Sequence, residues 1–169
     1  MKKGDYFDSK KYKCTFRVTG NNQVEYAMVE SPKCKSATIP AEINYYGKKY
    51  KVTSVGNYAF EHCSKLKKVR IGKNVVSIGK KAFYNCSSLT SVTIPAKVKN
   101  IGKEAFFKCK KLQTLIIRGK NLTLKRIGSR AFKYTYAKMK IRVPKKKMKL
   151  YQKVLKKRGV SKRASFRKL

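Results

Sequence analysis

Three stretches of the sequence lie over one another without a gap: VTSVGNYAFEHCSKLKKVRIG from Val52, VVSIGKKAFYNCSSLTSVTIP from Val75 and VKNIGKEAFFKCKKLQTLIIR from Val98. The period is 23 residues, and it is kept by Gly56, Gly79 and Gly102, by Ala59, Ala82 and Ala105, and by Phe60, Phe83 and Phe106. Cys63, Cys86 and Cys109 keep it too, as do Leu66, Leu89 and Leu112, then Ile71, Ile94 and Ile117. A fourth copy starts at Leu124 (LKRIGSRAFKYT) after a three-residue insertion near Gly119-Lys120-Asn121, so Gly128, Ala131 and Phe132 fall 26 residues on, and Thr135 replaces the cysteine. Self-similarity at such a period restricts the fold severely. One copy cannot bury its own apolar residues, so neighbours must stack and share a continuous core.

Each copy reads as a short strand, a bend and a return. In Leu89-Thr90-Ser91-Val92-Thr93-Ile94 alternate residues point inward while Ser91 and Thr93 point out. The glycine after the second apolar pair permits a tight bend, and Ala-Phe is expected to return inside from a single helical turn. Stacked at about 4.8 Å, the copies predict a mainly β or α/β solenoid with one Phe column.

A terminal copy would expose the stack, so both flanks are expected to be caps. Residues 1–36 form an N-terminal hairpin cap, from YKCTFRV (Tyr12 to Val18) and QVEYAMV (Gln23 to Val29) around Thr19-Gly20-Asn21-Asn22. The solenoid spans 37–144, with a hairpin-like detour at Tyr45-Tyr46-Gly47 and a last strand carrying Ile141 and Val143. Residues 145–169 form a basic C-terminal cap, a helix from Pro144 to Gly159 whose stripe is Met148, Tyr151, Val154 and Leu155, then a tail, SKRASFRKL, of unstructured composition. That stripe packs on the final copy or, in the alternative, lies on anionic lipid.

The pattern G-x-x-A-F-x-x-C-x-x-L-x-x-V-x-I at this period resembles the BspA-like branch of the leucine-rich repeats, found in surface proteins of bacteria and some protists. The resemblance covers about Ala37 to Pro144. It departs at the strand ends, where the family's proline is present at Pro40, Pro95 and Pro144 but replaced by Gly72 and Arg118. It implies a repeat module that binds other macromolecules, outside the cell or at its surface. MKKGDYFDSKKY is basic but has no apolar stretch behind it, so no signal peptide is read in the chain.

Composition narrows the chemistry. Seven carboxylates and a single histidine, His62, leave little material for acid–base pairs, so no enzyme, no cofactor and no catalytic residue are expected. Without a Cys-x-x-Cys pair, Cys63, Cys86 and Cys109 read as a column of buried thiols, not a metal cage. Cys14 and Cys34 lie outside it and are the favoured disulfide pair in an oxidising compartment. No run of apolar residues approaches transmembrane length.

Charge is the remaining signal. The 45 Lys and Arg face 7 Asp and Glu for a formal +38, and after Glu104 no acid remains while 24 basic residues lie between Lys108 and Lys168. Two outward rows of the strands form the candidate contact surface for a protein or glycan: Ser36, Lys68, Ser91, Thr114, Lys140 and Thr38, Arg70, Thr93, Ile116, Arg142. The alternative is electrostatic binding of nucleic acid, teichoic acid or sulfated glycan through Lys145, Lys146, Lys147, Lys156, Lys157 and Arg158. With 36 Lys to 9 Arg, diffuse attraction to phosphate or sulfate is favoured over bidentate base reading. The residues identify neither the individual partner nor the oligomeric state.

Overall fold

The computed structural model describes residues 1–169. It is strand-rich with one short α-helix. The strands are β1 (Tyr6–Ser9), β2 (Cys14–Gly20), β3 (Gln23–Val29), β4 (Ser36–Ile39), β5 (Glu42–Tyr45), β6 (Lys48–Val55), β7 (Lys68–Ile71), β8 (Ser77–Ile78), β9 (Ser91–Ile94), β10 (Asn100–Ile101), β11 (Thr114–Ile117), β12 (Lys140–Val143) and β13 (Ser165–Lys168). The helix α1 runs Met148–Lys157.

Two sheets organise the chain. The first has the order β4-β7-β9-β11-β12-β13, all neighbours parallel. Each repeat contributes the same four positions, so Lys68 pairs with Ser91, Ser91 with Thr114 and Thr114 with Lys140. The second sheet runs β1-β2-β3-β6-β8-β10, with β5 also on β6. Its repeat strands are only two residues long because Val-x-x-Ile-Gly turns away at once.

Between the sheets each copy crosses a wall of turns, not the helical turn expected from Ala-Phe. Two residues per copy adopt left-handed backbone: Tyr58, Lys81, Glu104 and Arg130 before the alanine, and His62, Asn85, Lys108 and Tyr134 two beyond the phenylalanine. This alternation aims backbone N–H groups at the next copy. The N–H of Phe60 donates to Ala82 O (2.7 Å), that of Phe83 to Ala105 O (2.8 Å) and that of Phe106 to Ala131 O (2.8 Å). A helical turn would spend those donors internally, where they could not bind copy to copy.

The repeat glycines also have a different role from the predicted bend. Gly56, Gly79, Gly102 and Gly128 lie outside the left-handed region, but a Cβ at Gly79 would stand 2.6 Å from Asn57 N of the preceding copy. Glycine is needed there because adjacent backbones touch.

The core is one cluster of 42 buried residues. Its axis is the predicted column: Phe60, Phe83, Phe106 and Phe132 are fully buried, their rings nearly parallel with centroids 5.0, 5.1 and 5.3 Å apart. Tyr26 of β3 extends the column at 5.1 Å from Phe60, and Phe16 of β2 meets Tyr26 edge-on. The hairpin of β2 and β3 therefore packs against Phe60, with β1 added antiparallel to it. At the other end Tyr151, Val154 and Leu155 of α1 are buried and Met148 is half-buried, so the stripe faces protein. The Tyr151 hydroxyl donates to Gly119 O (2.7 Å) and accepts from the Leu122 N–H (3.3 Å), fixing the inserted segment. The final stretch does not form the expected loose tail. Ser165–Lys168 pairs in register with β12, with Phe166 beside Ile141 as the one partly buried residue of the strand.

All five cysteines are free thiols. The expected pairing of Cys14 with Cys34 is not formed: Cys14 stands beside Tyr26 and Cys34 lies near Cys63. Cys86 Sγ donates to Phe60 O (3.1 Å) and Cys109 Sγ to Phe83 O (3.2 Å), each reaching back one copy. Burial pushes the Cys63 and Cys109 thiols from the ordinary 9.0 up to about 12, and Cys86 further in the same direction.

Phe83→Ala should cost about 3–5 kcal/mol in denaturant unfolding, since rings on both sides prevent collapse around the void. A wild-type midpoint would overturn the register. For the thiols, titration of the native protein should label Cys34 first and the other four only on unfolding, because the thiolate is the reactive form. Raised native thiol values add stability below the unfolded value near 9.0, and this is lost as pH climbs towards about 12. The denaturant midpoint should accordingly decline above about pH 9, and less so in a Cys63→Ala/Cys109→Ala variant.

Candidate functional site

The outward face of the six-stranded sheet is built by strand alternation alone. Val92, Leu115 and Ile141 point inward and are buried, so the residues on either side of each are turned to solvent. The register places Ser36, Lys68, Ser91, Thr114 and Lys140 in one row and Thr38, Arg70, Thr93, Ile116 and Arg142 in the next. The sequence-predicted residues Lys68, Arg70, Ser91, Thr93, Thr114, Ile116, Lys140 and Arg142 thus share one continuous face. Two residues of β13 lengthen it: Ser165 pairs with Lys140 and Arg167 with Arg142. Their signal was the same alternation, hidden inside a segment that composition assigned to a tail.

The charge pattern across this face is ordered. Strands β9 and β11 show Ser, Thr and Ile, while β7 on one side and β12 and β13 on the other show Lys68, Arg70, Lys140, Arg142 and Arg167. From β7 to β12 is three strand spacings, about 14 Å. None of the six strands carries an acid. Glu25 is paired with Arg17 (2.9 Å), Glu61 with Lys81 (3.8 Å) and Glu104 with Arg130, all on other faces. The basic strands are therefore uncompensated within their own sheet, and the field above them is positive.

The C-terminal basic residues lie apart from these rows. Lys145, Lys146 and Lys147 form a 3-10 turn that leads into α1, the first two exposed. Lys156 and Lys157 are exposed in the last helical turn, where cations suit the helix dipole. Arg158 is half-buried, its guanidinium donating to Leu124 O (2.7 Å) and its carbonyl accepting from the Phe132 N–H (2.9 Å). It ties the helix end to the fourth copy. His62 is exposed, with Nδ1 3.2 Å from Asn85 Nδ2. No helix is long and apolar enough to cross a membrane.

Known proteins place this architecture. A leucine rich cell surface protein from Faecalibacterium prausnitzii superposes with a TM-score of 0.67 at 27% identity, covering 83% of this chain and 37% of that one. The leucine rich repeat protein of T. pallidum gives 0.62 at 19% identity over 81% of this chain and 71% of its own. The pneumococcal vaccine antigen PcpA gives 0.51 at 19% over 83% and 51%, and these two speak for the fold alone. This chain thus spans little more than a third of the length of the F. prausnitzii structure. No curated protein sequence matches it. The BspA type leucine rich repeat region matches in six copies over residues 42–160. The 23-residue rows of glycine, phenylalanine, cysteine and leucine that build both sheets and the turn wall are that family's repeat, and the chain belongs to it.

Proposed function

We propose that the chain is a capped solenoid, with 1–36 and 145–169 closing the ends of a repeat body at 37–144, that binds another macromolecule without catalysis. The contact surface is the outward face of the six-stranded sheet, and the partner is a protein or a glycan met outside the cell or at its surface. One observation carries this reading: two unbroken rows of side chains on an acid-free sheet, with a neutral Ser/Thr/Ile centre two strands wide and basic strands on both sides. A flat face with fixed spacing and small side chains gives a partner a large contact at low ordering cost. The surface location is carried over from the F. prausnitzii relative, described as a cell surface protein.

A second reading, electrostatic capture of a polyanion by the C-terminal segment, is favoured by the exposed Lys145, Lys146, Lys156 and Lys157. The two separate by mutation and by salt. Thr93→Glu with Thr114→Glu should weaken a sheet-bound partner, found on panels of purified extracellular proteins and glycans, by about 30-fold or more, since unpaired interfacial charges cost about 2–5 kcal/mol. Exchanging Lys145, Lys146, Lys147, Lys156 and Lys157 for Gln should leave that binding nearly intact, and it should change modestly with salt. Loss of binding in the Gln variant, a steep salt dependence and an unaffected Glu variant would select the polyanion reading.

A further inference from the structure

The turn wall carries a feature that the sheet reading does not use. Its second, third and fourth copies form an open depression of about 670 Å³, lined by four cations: Lys81, Lys108, Lys110 and Arg130. Three aromatic rings, Tyr84, Phe107 and Tyr134, line the same depression, and Glu104 is its one acid. Glu104 is buried and already held by Arg130, and Lys81 is paired with Glu61 (3.8 Å), so two of the four cations are left uncompensated. Lys108 and Lys110 have no carboxylate partner at all.

The backbone fixes these groups. Lys81, Lys108, Arg130 and Tyr134 all sit in the left-handed region, with φ of 52°, 59°, 55° and 61°, a conformation that L side chains other than Asn and Asp seldom adopt. The inter-copy hydrogen bonds hold it: the N–H of Lys81 donates to Lys103 O (2.9 Å) and that of Lys108 to Lys133 O (3.0 Å). Cations are also seated on rings, Lys81 Nζ 4.8 Å from the Tyr84 centroid and Lys108 Nζ 5.7 Å from that of Phe107. Tyr84 and Phe107 stack at 5.1 Å within 5° of parallel. Tyr134 instead turns to 83° against Phe107 and is 54% exposed.

We infer that this basin binds an acidic polysaccharide, with sulfate or carboxylate groups on Lys108 and Lys110 and a sugar ring against Tyr134. The arrangement disfavours single-stranded nucleic acid, which uses successive exposed ring faces. Here the facing sides of Tyr84 and Phe107 are taken by each other, leaving one ring among several point charges. Lysine ammonium groups match isolated sulfate oxygens without requiring the planar geometry of arginine. The basin is open, which suits a chain passing across it more than a small molecule enclosed within it.

The test is titration of the whole chain with a heparin-derived hexasaccharide at about 150 mM salt, where diffuse attraction is largely screened. Lys108→Gln with Lys110→Gln should weaken binding about tenfold and Tyr134→Ala about threefold, while the five-lysine Gln variant and Thr93→Glu/Thr114→Glu stay within about twofold. Both basin variants alter exposed side chains, and thermal melts verify their folding. In wild-type protein, amide NMR shifts induced by the hexasaccharide should centre on Lys108 to Lys110 and Tyr134, which needs no variant. The inference is overturned by unchanged affinity in the basin variants, by shifts centred on α1 or the sheet, or by oligo(dT) binding more tightly with the same residue dependence. Because the sheet variant serves as a control, failure here leaves the sheet reading standing, and the converse also holds.

Discussion

The whole molecule depends on backbone groups of one copy bonding to those of the next. This happens on all three walls: in the six-stranded sheet, in the short sheet, and along the turns, where Phe60, Phe83 and Phe106 each donate to the following copy. In-register bonding on every wall forces equivalent residues to lie above one another. Columns of identical side chains then follow from geometry, and the Phe60-Phe83-Phe106-Phe132 stack is one result. The glycine column is another, since backbones drawn this close leave no room for a Cβ.

This one-dimensional plan also shows how a chain of formal charge +38 stays compact. The apolar columns need nothing from the outer residues, so outward positions are free to carry lysine. Charges several strands apart are screened over about 8 Å at physiological salt, and repulsion is spread along the stack. The few acids are placed with effect: Glu25, Glu61 and Glu104 each meet a cation away from the six-stranded sheet. Their absence from that sheet leaves its basic strands unneutralised, and the sheet face and the turn-wall basin become two chemically different surfaces on one scaffold.

The end segments obey the same rule. Tyr26 sits on Phe60 at nearly the spacing that phenylalanines keep among themselves, so the N-terminal hairpin continues the aromatic column while ending the repeat. At the other end the Phe132 N–H finds Arg158 O where a fifth copy would have offered its alanine carbonyl. The Phe column and the Phe132 N–H are thus both met by residues outside the repeats.

Much of this was legible in the sequence. The period of 23 gave the columns, and alternation within Leu-x-x-Val-x-Ile gave the two outward rows residue by residue, because both are local properties of a repeated strand. What the sequence could not carry was anything set by how closely distant backbones approach. The left-handed pairs of the turn wall, the spatial reason for the glycines, the nearness of Cys34 to Cys63 and the joining of Ser165–Lys168 to β12 all depend on contacts between separate copies. The basin does too: Lys81, Tyr84, Lys108, Lys110, Arg130 and Tyr134 are contributed by three successive copies. Only stacking, which sets one copy's turn beside the next at a fixed angle, brings their charges and rings together.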